Sequence, residues 1–102
     1  MYGYMRIATD TDYQAESERA TAELKAFAER EGYSLEEVFI EHPAAQKRAF
    51  DVLLERLKSS ESRNVLVPSL WHFARLPGLQ EAMQQHIQQE TGARLWVVQG
   101  RR

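Results

Sequence analysis

Val65-Leu66-Val67-Pro68 is the stretch on which the fold turns. Three apolar residues in succession, two of them β-branched, leave no position for solvent. They describe a strand covered on both faces, as central strands of parallel sheets are. Pro68 has no backbone N–H to give and ends the ladder there.

Upstream, Phe50, Leu53, Leu54 and Leu57 recur at helical spacing, with Ser59-Ser60-Glu61-Ser62 as the exit loop. Downstream, Pro77 opens a helix predicted to run to about Thr91, with Leu79, Met83 and Ile87 on one stripe. Gly92 ends it before the strand Leu95-Trp96-Val97-Val98. Farther upstream, Leu35 and Val38-Phe39-Ile40 form a strand broken by His42-Pro43, and Ala20, Leu24, Phe27 and Ala28 mark a surface helix stopped by Gly32. Tyr2 to Ala8 is the first strand, and Asp10 to Tyr13 a polar connector. The order βαβαβαβ predicts right-handed crossovers and helices on both faces of the sheet. The fold class is α/β: a small three-layer, doubly wound domain with a mostly parallel four-stranded sheet.

At 102 residues, with 43% hydrophobic and 27% charged residues and few glycines and prolines, the chain is expected to be a single domain over 1–102 that buries its own core. The absence of cysteine excludes thiol chemistry, disulfides and thiolate-ligated metals. No apolar run approaches the roughly 18 residues of a membrane span. Arg6 and Asp10 interrupt the start too early for a secretory signal, so a cytoplasmic location is expected. Charge is unevenly spread: Met1 to Glu41 carries 10 acids and 4 bases, while His42 to Arg102 carries 5 acids and 9 bases. A nucleic-acid face would belong to the second half.

Period two places Tyr2, Tyr4, Arg6 and Ala8 on one face of the first strand, with Gly3, Met5 and Ile7 on the other. In doubly wound sheets, sites form where the loops leave the carboxyl ends of the strands. That rule selects Ala8-Thr9-Asp10, Glu41 to Lys47, Ser69 to Arg75, and Gln99 to Arg102.

Tyr4-Met5-Arg6-Ile7-Ala8-Thr9 resembles the opening motif of the catalytic domain of serine recombinases, the resolvases, invertases and related integrases. That motif is tyrosine, a small residue, arginine, an aliphatic residue, then serine-threonine. Ala8 fills the serine position. Leu70-Trp71-His72-Phe73-Ala74-Arg75 is similar to a second signature, which reads leucine, aspartate, arginine, hydrophobic, small, arginine. Between them, Glu41 stands where the family places an acid. Ala44-Ala45 replaces a serine-glycine pair, and Lys47 or Arg48 stands for an arginine, the spacing favouring Lys47.

The resemblance implies a resolvase-like fold and chemistry in which a serine attacks a DNA phosphodiester while arginines hold the phosphate. Ala8 offers only a methyl group, and Trp71 and His72 stand where an acid and a charged fork are expected. The catalytic positions Ala8, Trp71 and His72 are thus degenerate. Thr9 and Ser69 are the substitute hydroxyls; with no activating base beside either, both read as turn and cap residues. Arg6 has two readings: an ion pair with Glu41 or Asp10, or an anion site in which Arg6, Lys47 and Arg75, with His72, Glu41 and Thr9 nearby, converge on a phosphate. Trp71 reads as a plug of the old pocket. His72 reads as partly exposed and lacks ligand spacing for a metal; no metal or cofactor is expected. His42, His86 and the face Gln84, Gln85, Gln88, Gln89 read as surface.

Family members continue into a long dimerising helix and a separate DNA-binding domain, whereas this sequence ends at Arg102, so a homodimer would use another surface. Three functions follow in order: an inactive module that acts by binding, in regulation or on another protein; a DNA- or phosphate-binding module; and a phosphoryl-transfer enzyme with a substitute nucleophile. No membrane partner is expected.

Overall fold

β1 (Tyr2–Arg6) is the axis of a four-stranded parallel sheet in the computed structural model, with β2 (Glu37–Glu41) on one side, β3 (Asn64–Val67) on the other and β4 (Arg94–Val97) beyond β3. The structure describes residues 1–6, 13–41, 48–72 and 76–98. α1 (Tyr13–Arg30) connects β1 to β2, α2 (Ala49–Lys58) connects β2 to β3, and α3 (Pro77–Thr91) connects β3 to β4, after a 3₁₀ turn at Leu70–His72.

The alternation of β1 sets the layers. Met5 joins Leu24 and Ala28 of α1 and Leu66 of β3 on one face. Tyr2 and Tyr4 join Leu53 and Leu57 of α2, Ile87 of α3, and Val65 and Val67 on the other. Val65, Leu66 and Val67 thus serve opposite layers in turn, which is why that run of β3 carries no polar residue. Phe39 and Phe50 pack edge-on against Tyr2 and Tyr4, with centroids 5.8 Å apart in each pair. The three-layer α/β arrangement expected from the sequence is present.

Gly3 permits the closest approach of α1, since a Cβ there would lie 3.0 Å from Leu24 Cδ1. Gly92 ends α3 in the left-handed region, φ 71°, its N–H donating to the Gln88 carbonyl at 2.8 Å.

The stripe on α3 is shorter than its sequence suggests. Ile87 is buried, but Leu79 is 53% exposed and Leu76, just ahead of the helix, 63%. The cause is length. Fifteen helical residues span about 22 Å, whereas four strand residues span about 13 Å, so the first turns of α3 overhang the sheet. The first strand, expected to reach Ala8, is described to Arg6; Ile7 and Ala8 lie outside the described residues. Among the described residues, no helix is long and apolar enough to cross a membrane.

Candidate functional site

The strand order β2-β1-β3-β4 reverses direction at β1. The connection from β1 passes through α1 on one face and that from β3 through α3 on the other, so the two segments diverge at the carboxyl ends of β1 and β3. This is the crevice that doubly wound sheets use for ligands. Arg6 ends β1 on one side of it, and the Leu70–His72 turn follows β3 on the other.

A hydrogen bond between described residues joins the two sides. Register between β1 and β3 covers Tyr2↔Val65 and Gly3↔Leu66, and Pro68 follows β3 with no amide hydrogen to extend it. Beyond that limit, the Arg6 backbone N–H donates to His72 Nδ1 at 2.9 Å. A side chain thereby serves as acceptor where β3 no longer does. To accept, Nδ1 must be unprotonated, so the proton of the neutral ring sits on Nε2. Burial pushes the His72 pKa down from 6.5 to about 4, and the Arg6 charge pushes the same way.

The sequence reading of His72 as partly exposed is therefore corrected: the residue is 7% exposed. Its Nδ1 bond lets the ring be buried. A neutral ring cannot lend charge to the basic pocket expected around Arg6.

Glu41, at the end of β2, faces α2. Its Oε2 accepts from the Ala49 N–H and its Oε1 from the Phe50 N–H, both at 3.2 Å, and Oε1 also accepts from the Tyr4 hydroxyl at 3.1 Å. Arg48 occupies the N-cap and makes no side-chain cap bond, so a carboxylate from a neighbouring strand satisfies the first amides of the helix. The Arg48 Nε lies 3.9 Å from Oε1 on the exposed side. Burial and the Glu41 charge both push the Tyr4 hydroxyl pKa up, keeping it a donor.

This arrangement corrects the expected Arg6–Glu41 ion pair. The two residues are register partners, yet the carboxylate is drawn to the amides of α2 and pairs with Arg48 instead. The other partner proposed for Arg6, Asp10, lies outside the described residues, as do Ala8, Thr9, Lys47 and Arg75. The side chain of Trp71 lies outside them too. Ser69 Oγ is buried and makes no hydrogen bond among the described residues, so none of them acts on it as a general base. His86 is exposed beside Phe50, its ring centroid 6.3 Å away. Of the predicted site residues, the structure brings together Arg6 and His72, and directs Glu41 elsewhere.

Sequence reasoning missed the two bonds that shape this end of the sheet. The signal for Glu41 was available: the sequence ahead of the Phe50-Leu53-Leu54-Leu57 pattern, Gln46-Lys47-Arg48-Ala49, offers no serine, threonine, aspartate or asparagine as a cap. The signal for His72 was fainter, a histidine four residues after a strand-ending proline.

The sequence matches the family model "Resolvase, N terminal domain" over residues 1–102. A search of curated proteins found no match. Among solved structures, the C-terminal catalytic domain of ISC1926 TnpA, an IS607-like serine recombinase, superposes with a TM-score of 0.79 at 20% identity, covering 97% of this chain and 67% of that one. A resolvase family site-specific recombinase from Streptococcus pneumoniae gives 0.74 at 28% identity, covering 95% and 70%. The N-terminal catalytic domain of TP901-1 integrase gives 0.74 at 16% identity, covering 95% and 75%. The parallel sheet, its central β1 and the full-length family match agree: the chain belongs to the resolvase N-terminal domain family.

Proposed function

We propose that this chain is a catalytically inactive resolvase-fold module that acts by binding, in regulation or by association with another protein. The observation that carries this reading is the bond from Arg6 N–H to His72 Nδ1. At a position where the family resemblance implies a permanently charged arginine facing phosphate, this chain has a neutral, buried imidazole spent on its own backbone. Ala8 at the serine position supports the same reading, since a methyl group has no lone pair with which to attack phosphorus. The exposed Leu76 and Leu79 beside the crevice favour protein association as the mode of action.

A second reading is DNA or phosphate binding at Arg6, favoured by the excess of bases over acids after Glu41. Duplex titration at two salt concentrations, with Arg6→Ala and Arg75→Ala alongside, separates the two. Affinity that falls steeply with salt and with either substitution supports DNA binding; no binding, together with a stable oligomer by light scattering, supports protein association. Incubation with suicide DNA substrates tests both readings against catalysis, because a covalent protein–DNA adduct would overturn the inactive assignment.

A further inference from the structure

We propose that His72 is a positioning residue for Arg6: its Nδ1 holds the Arg6 amide and so fastens the end of β1 to the turn that follows β3. The value of this fastening to an anion rests on the second reading above, in which Arg6 meets phosphate. The fastening itself does not.

Three observations carry it. The β1–β3 ladder stops at Gly3↔Leu66, while β1 continues to Arg6 paired on its other side with β2. Among the described residues, the 2.9 Å bond to His72 holds the far end of β1 on the β3 side. The turn carrying His72 packs on both β1 and α3, so the bond fastens the central strand to a turn that itself rests on α3. The ring is buried, so water cannot readily replace it as acceptor. The imidazole reaches inward to the Arg6 amide and so sets where Arg6 leaves the sheet.

The test uses ¹⁵N-labelled protein and reads the Arg6 amide by hydrogen exchange. His72→Asn keeps an acceptor oxygen at the place of Nδ1; His72→Leu keeps bulk without an acceptor. The Arg6 amide is expected to exchange about tenfold or more faster in His72→Leu, and close to the unaltered rate in His72→Asn, as the loss and retention of one buried hydrogen bond imply. Equal exchange in all three proteins would overturn the proposal. Should His72→Leu fail to fold, the ring nitrogens of the unaltered protein decide the matter: an unprotonated Nδ1 and protonated Nε2 at neutral pH uphold the proposal, and the reverse tautomer overturns it.

A parallel titration with inorganic phosphate, followed at Arg6, separates the two ideas. Binding that weakens in His72→Leu and persists in His72→Asn upholds both. Exchange that follows the acceptor with no phosphate binding upholds the fastening and removes the anion reading. Phosphate binding with exchange indifferent to His72 does the opposite.

Discussion

The Tyr4 hydroxyl and the Glu41 carboxylate, 3.1 Å apart, join the central strand to the first turn of α2 through a buried acid. Glu41 accepts three hydrogen bonds there, two from backbone amides. A carboxylate with so many donors is a structural anchor, and its removal takes a buried acceptor from each of them.

Glu41→Ala is expected to destabilise the protein by about 2–3 kcal/mol, since it removes a buried acceptor shared by two amides and a phenol. Glu41→Gln, which keeps one acceptor oxygen, should cost about 1 kcal/mol, as should Tyr4→Phe. Urea unfolding measures all three. Combining Glu41→Ala with Tyr4→Phe should cost less than the sum of the single losses, because the two share a bond.

Acid stability should depend on His72. Its folded-state pKa, about 4, lies below the ordinary 6.5, so as pH falls the unfolded chain takes up the proton first. The stabilisation is complete above pH 6.5 and is lost progressively towards pH 4, reaching about 3 kcal/mol at the lower end. Unfolding midpoints measured between these values should slope for the unaltered protein and flatten for His72→Asn. A histidine that titrates near 6.5 in the folded protein would refute this.

The core and the overhang of α3 should respond oppositely to truncation. Leu57→Ala, in a fully buried position, is expected to cost about 2–5 kcal/mol. Leu79→Ala, on the projecting turn, should stay within about 0.5 kcal/mol. If Leu79→Ala instead dissociates an oligomer while leaving the unfolding midpoint unchanged, the exposed leucines are the association surface.

Returning the hydroxyl should not return the reaction. Ala8→Ser is expected to form no covalent adduct with suicide DNA substrates, because His72 still faces inward as a neutral ring. An adduct from this single substitution, seen as a shifted band on a denaturing gel, would mean that the rest of the machinery is intact.

The layers were legible in the sequence because their signals are local. Val65-Leu66-Val67 has no polar position and Pro68 stops it, and Pro77 and Gly92 bracket α3 where the structure begins and ends it. The amphipathic pattern Phe50, Leu53, Leu54, Leu57 became the buried face of α2 unchanged. Leu79 misled because periodicity reports which face of a helix is apolar and says nothing of how far the sheet beneath it extends.

The site was less legible because its bonds join residues distant along the chain. Arg6 and His72 meet only after the β2–α2–β3 crossover has laid β3 beside β1, and the preference of Glu41 for α2 over Arg6 depends on where that helix starts. Charge alone suggested the wrong pair. A basic residue and an acidic one in register look complementary, but unsatisfied helix amides compete for the same carboxylate and win.

Because β1 lies between β2 and β3, a nascent chain that has emerged only through α2 would carry its central strand with one side unclaimed, the side that Val65 and Leu66 later occupy. Such a fragment presents bare amides and carbonyls beside Tyr2 and Tyr4, a template for mispairing with other chains. Emergence of the next few residues closes that side, so a pause before Asn64 emerges prolongs the exposure of that edge.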